Sequence, residues 1–106
     1  MPVISDRLRQ LQQMLEKSPD DPFLVYGIAM EHKKAGEAER AVEFFERVIR
    51  LDPGYCYAYY QRGLVHEGRG DAEAAKQSYR EGVQAAIRKG DAHAQGEIQA
   101  ALDMVE

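Results

Sequence analysis

The chain has 106 residues, enough for one domain and not for two. Hydrophobic residues make up 44% and charged residues 30%, the balance of an ordinary globular chain rather than a disordered or membrane-embedded one. With 14 Lys+Arg against 18 Asp+Glu the formal charge is −4, which argues against a nucleic-acid partner, and one cysteine excludes both a disulfide framework and a four-cysteine zinc site.

The opening residues, Met1-Pro2-Val3-Ile4-Ser5-Asp6-Arg7, lack a basic stretch followed by an apolar one, so no leader peptide is expected. No apolar run approaches the roughly 18 residues of a membrane span. A cytoplasmic protein without membrane contact is therefore expected. Ser5-Asp6 ahead of Leu8 predicts a helix over 5–18 carrying Leu8, Leu11, Met14 and Leu15, ended by Ser18-Pro19. Asp20-Asp21-Pro22 opens a second helix with a capping acid and a proline whose missing N–H costs nothing there. Phe23, Leu24, Tyr26, Ile28 and Met30 follow at helical spacing, and Gly36 closes that helix in the left-handed conformation. A third helix carries Ala38, Ala41, Val42, Phe45, Val48 and Ile49, and Asp52-Pro53-Gly54 stops it. A fourth starts near Tyr55 and turns at Gly68-Arg69-Gly70-Asp71. A fifth carries Ala75, Tyr79 and Val83 and, with no closing proline, continues through Ile87 to Lys89. Gly90-Asp91 then opens a sixth with Ile98, Ala101, Leu102 and Val105 on one face. The expectation is all-α, with six helices in three antiparallel hairpins.

Residues 22–55 align with 56–89 at an offset of 34. Tyr26 falls on Tyr60, His32 on His66, Gly36 on Gly70, Ala38 on Ala72, Glu39 on Glu73 and Ala41 on Ala75. Chance would give about two identities in such a window for this composition. The alignment also overrides the β propensity of Tyr55-Cys56-Tyr57-Ala58-Tyr59-Tyr60.

A 34-residue helix–turn–helix period with small residues at fixed places resembles the tetratricopeptide repeat family. The positions that carry the likeness are Val25, Ile28-Ala29, His32, Ala41, Phe45 and Pro53, then Tyr59, Arg62-Gly63, His66, Ala75 and Tyr79. The sequence departs from the family pattern in having no Trp, His in place of Tyr twice, Arg62 in place of Leu, and Ile87 where a second closing Pro would stand. The resemblance implies an α-solenoid: an N-terminal helix at 5–18, repeats at 22–55 and 56–89, and a capping helix at 91–106. It also implies that the first helix of each pair lines a concave surface that holds an extended peptide or a helix. Phe23, Tyr26, Met30, Lys33 and Lys34 would face that surface from the first repeat. Tyr57, Tyr60, Gln61, Leu64 and Glu67 would face it from the second, and Ala94, Ile98 and Ala101 from the last helix. Some members clamp the acidic C-terminal tails of cytosolic chaperones with a Lys and two Asn. Those places hold Tyr26, Met30 and Gln61 here, so no such clamp is expected.

The aromatic residues among these positions leave three readings open: core packing, partner contact or self-association. Lys33 and Lys34 fit an acidic ligand or a solvated helix C-terminus. His32 and His66 share a repeat position, and helices roughly 10 Å apart would keep two imidazoles from one metal ion unless both side chains converged. They read as packed histidines in place of Tyr. Cys56 has no histidine near it in sequence and reads as a small buried hydrophobe, while Gly68 and Gly70 follow no strand and so make no phosphate loop. No catalytic residue, metal site or cofactor is expected. Glu43 four before Arg47, and Glu46 four before Arg50, would form surface pairs that place the outer side of the third helix in solvent. The expected function is a non-enzymatic module that binds another protein. The alternative is a self-associating protein, dimeric through its apolar face or its end helices.

Overall fold

A computed structural model describes residues 5–105. The first four residues, part of the leader-peptide reading, and Glu106, the end of the expected capping helix, lie outside the described residues. The elements are α1 (Asp6–Lys17), α2 (Pro22–Lys34), α3 (Ala38–Leu51), α4 (Cys56–Gly68), α5 (Ala72–Lys89) and α6 (Ala92–Val105). No strand occurs among the described residues, so the chain is an all-α, six-helix solenoid. No helix in this range is long and apolar enough to cross a membrane.

Local chemistry sets the boundaries. The Ser5 hydroxyl accepts from the Leu8 N–H at 2.9 Å, and the Asp21 carboxylate accepts from Phe23 with Pro22 in the first turn. Asp71 and Asp91 cap α5 and α6 in the same way, through the N–H groups of Ala74 and Ala94. Each such bond satisfies one of the amide donors that a helix start leaves without a partner. Gly36 and Gly70 turn the chain at φ of 78° and 77°, a region that costs any residue with a Cβ. The tyrosine-rich run is helical from Cys56 onward, with Cys56, Ala58 and Tyr59 directed into the core.

Consecutive helices pack against each other along the whole chain, and α6 also touches α4. The core is accordingly divided along the stack, as expected when each unit meets only its neighbours. Leu8, Leu11, Leu24 and Ile28 join α1 to α2. Val25, Ala29, Ala41, Phe45, Val48, Ala58 and Val65 join α2, α3 and α4. Cys56, Ala75, Tyr79, Val83, Ala86, Ala94, Ile98 and Leu102 join α4, α5 and α6.

The small residues that mark the repeats sit where helices approach most closely. Ala29, Ala41 and Ala75 are fully buried. At Gly63 a Cβ would lie 2.3 Å from a ring carbon of Tyr79, a separation no packed structure tolerates. Arg62, where the family pattern has Leu, reaches from the same helix across to α5. It donates to the Ser78 hydroxyl at 2.9 Å and to the Glu81 carboxylate at 2.7 Å, and it lies over the Tyr59 ring. A largely buried guanidinium is tolerable because its donors are used.

The surface pairs expected along α3 do not form. Glu46 lies 3.8 Å from Arg62, and Arg47 donates to the Pro19 carbonyl at 3.0 Å. A guanidinium held in a neighbouring helix and a free carbonyl in a loop offer fixed partners. An exposed i,i+4 pair offers only a few tenths of a kcal/mol.

A candidate interaction face on the first helices

The side of the molecule formed by α2, α4 and α6 is joined by polar bridges. The Lys33 ammonium donates to the Gln61 side-chain oxygen at 2.5 Å, linking α2 to α4. The Tyr57 hydroxyl donates to Glu97 at 2.9 Å, linking α4 to α6. That bond, ahead of burial, raises the Tyr57 pKa, since ionisation would place a phenolate against a carboxylate.

Most of the expected residues keep part of their surface in solvent. Phe23 is 64% exposed at the start of α2. Tyr26, Met30, Lys33, Tyr57, Tyr60, Gln61 and Leu64 are half-buried, and Lys34 and Glu67 are exposed. Ile98 is the exception. It is 0% exposed, held in the core with Val83, Ala86 and Cys56, and has no surface to offer a partner. Ala94 is buried with it, and Ala101 packs against the same cluster. α6 uses its apolar stripe to dock on α5 and α4, so that stripe faces inward.

The aromatic residues form two groups rather than one ladder. Tyr26 stacks on Tyr55 at 5.0 Å between centroids and meets Phe45 edge-on at 5.7 Å. Tyr60 meets Tyr57 at 6.2 Å and Tyr79 at 6.1 Å. Tyr26 and Tyr60 therefore each rest one side on a core ring and keep the other partly open. Burial raises the Tyr26 pKa, with the Gln61 side chain opposing the shift. Tyr55 and Glu97 complete the face and were not anticipated. The only sequence signal for Tyr55 is its place at the head of the aromatic run, and nothing in the sequence points to Glu97.

The remaining chemistry-bearing groups have structural surroundings. His32 is buried, with Nδ1 3.3 Å from the Glu37 carboxylate and its ring stacked on Phe44. His66 has a buried Nδ1 with no hydrogen-bond partner among the described residues. Burial, with Arg62 adding to it, lowers its pKa. Among the described residues no group of three or more His, Cys, Asp or Glu side chains could hold a metal ion. The Cys56 thiol points to the Gly54 carbonyl, and burial raises its pKa, opposite to what a nucleophile needs.

Family models described as tetratricopeptide repeat match residues 24–55 and 44–77. A tetratricopeptide repeat-containing protein of Pseudomonas aeruginosa is 33% identical over 88 residues, covering 83% of this chain and 84% of that protein. The chain belongs to the tetratricopeptide repeat family. A solution structure of a tetratricopeptide repeat domain protein from Salinibacter ruber is 34% identical, with a TM-score of 0.78 over 83% of this chain and 89% of that one. The same fold recurs in PcrH, solved in complex with the chaperone-binding region of PopD. Identity there is 15% and the TM-score 0.85, covering 92% of this chain and 74% of PcrH.

Proposed function

We propose that this tetratricopeptide protein is a non-enzymatic adaptor that holds a peptide or helix of another protein on the α2–α4 side. Its repeats would be 22–55 and 56–89, flanked by helices at 5–18 and 91–106. The observation that carries the reading is the partly open run from Phe23 through Tyr26 to Tyr57, Tyr60 and Leu64, with Phe23 64% exposed. Aromatic side chains with one face held by the core present contact area at little entropic cost. PcrH, of the same fold, is seen with a segment of PopD. We place the protein in the cytoplasm, a compartment that keeps a free thiol such as Cys56 reduced.

The test is capture of a partner by the wild type and by Phe23→Glu, which alters an exposed side chain and leaves the core intact. The variant should keep its helical circular dichroism and melting temperature and lose capture. Undiminished capture by a folded variant would remove the α2 end of the face from the reading.

Self-association is the second reading, and one observation favours it. Ala92, Gly96, Ala100 and Met104 recur every fourth residue on the open side of α6, with Met104 86% exposed. Light scattering over a concentration series, on the wild type and on Ala100→Glu, separates the two. A dimer lost in the variant would favour self-association, and a monomer throughout would leave the adaptor.

A further inference from the structure

At the end of α2 and α4 the face contains a pocket of about 360 Å³. Ala38, Leu64 and Val65 give it apolar walls, and its only charged lining residues are Lys33 and Arg69. Neither cation has an acidic partner among the described residues. Lys33 is held by a neutral amide oxygen, and the Arg69 guanidinium meets no acceptor there. The acids nearby are already in use. Glu37 meets His32, Glu67 accepts from the Tyr79 hydroxyl, and Asp71 caps α5. Burial lowers the Lys33 pKa, so its ammonium has lost solvation without gaining a counter-charge. The charged groups that line the pocket are both cations on a chain of net charge −4, a pattern that favours an anionic group of a ligand.

We propose that this pocket takes an acidic–apolar element of the bound segment: an Asp or Glu carboxylate on Lys33 and Arg69, and a neighbouring bulky apolar side chain against Ala38, Leu64 and Val65. The proposal rests on the peptide-binding reading above and adds what the peptide must carry. Tyr26, Met30 and Gln61, the positions of the family's acidic-tail clamp, do not line the pocket, and Gln61 meets it only through the Lys33 ammonium. The carboxylate belongs to a side chain rather than a chain end. Capture of a terminus uses free backbone N–H groups. Here the N–H groups of Gly36, Glu37, Arg69 and Gly70 are all bonded within the two turns.

The test uses fluorescence polarisation on the full chain with three labelled hexapeptides. The first is Ser-Glu-Leu-Glu-Leu-Ser with its C-terminus amidated. The second has Gln for Glu and is also amidated. The third is the Gln peptide with a free C-terminal carboxylate. The Glu peptide should bind saturably and about tenfold more tightly than the amidated Gln peptide. Added salt should reduce that preference, and the Lys33→Glu/Arg69→Glu double variant should abolish it while keeping its helical circular dichroism, with Arg69→Glu alone, at an exposed side chain, weakening it at an unchanged melting temperature. Equal affinity for the Glu and amidated Gln peptides would overturn the proposal. So would a preference that survives charge reversal, tight binding by the free-acid peptide alone, or no saturable binding up to about 1 mM. Partner capture that depends on Phe23 and is untouched by the double variant would leave the adaptor reading standing while removing this pocket from it.

Discussion

The hairpins α2/α3 and α4/α5 share one frame and use equivalent residues differently. Each turn is a glycine followed by an acid, Gly36-Glu37 and Gly70-Asp71. Glu37 is one methylene longer. It reaches back to His32, and α3 begins with no side-chain cap. Asp71 is shorter and accepts from the Ala74 N–H at 3.1 Å. α5 is therefore capped, while Nδ1 of His66 is left buried with no partner among the described residues. One carboxylate serves either the histidine or the helix start, and its length decides which. The helix contact differs in a parallel way. Ala29 shares its core with Phe45, whereas the equivalent Gly63 leaves room for the Tyr79 ring, whose hydroxyl bonds Glu67. Repeats alike in sequence thus differ in which buried groups are satisfied.

The sharpest way to break this comparison is at the glycine. Gly63→Ala should cost about 1–3 kcal/mol in urea unfolding, because the new methyl overlaps ring carbons of Tyr79. Tyr79→Phe should not rescue it, since the overlap is with the ring and not the hydroxyl. Full tolerance would mean that α4 and α5 separate without cost and that the hairpins do not differ in closeness.

The two acids come next. Glu37→Ala leaves His32 Nδ1 buried without its partner and should cost about 1–3 kcal/mol, with no loss at the α3 cap. Asp71→Ala removes a cap and should cost about 1 kcal/mol. If the costs ran the other way, with Asp71 the dearer loss, the division of labour between the two acids would be reversed.

The smallest effect is in the acid limb. Burial holds the pKa of His66 in the folded chain below the ordinary histidine value of 6.5. Above that value both states hold it neutral. As pH falls through it the unfolded chain binds the proton first, so stability is lost between 6.5 and the lower folded pKa. His66→Phe should therefore show a shallower fall in melting temperature from about pH 7 to about pH 5. An unchanged slope would assign the acid limb to other groups.

Much of the fold was legible because helix signals are local. A capping oxygen acts two or three residues away, a glycine turn acts where it stands, and the 34-residue offset repeats both. The small positions Ala29, Ala41, Gly63 and Ala75 were also readable, since each recurs at the same place in a unit that must stack on its copy. The site was legible in part. The face residues of α2 and α4 carry the repeat's own spacing, and the structure leaves them partly open. The structure corrects Ile98 because the apolar stripe of α6 packs onto α5 and α4. The α3 surface pairs were misjudged because Arg62 and the Pro19 carbonyl, remote in sequence, compete for the same side chains. Arg69 gave no signal beyond a charged residue between two glycines.

By itself the sequence determined the helices, their turns and the period at which they stack, because caps, glycines and apolar spacing act over a few residues. Only the tertiary structure decided which apolar residues remain open, which acids are already paired and where two cations share a pocket. Those properties belong to pairs of elements far apart in the chain. A helical stripe marks a face as apolar, and burial depends on which neighbour arrives to cover it.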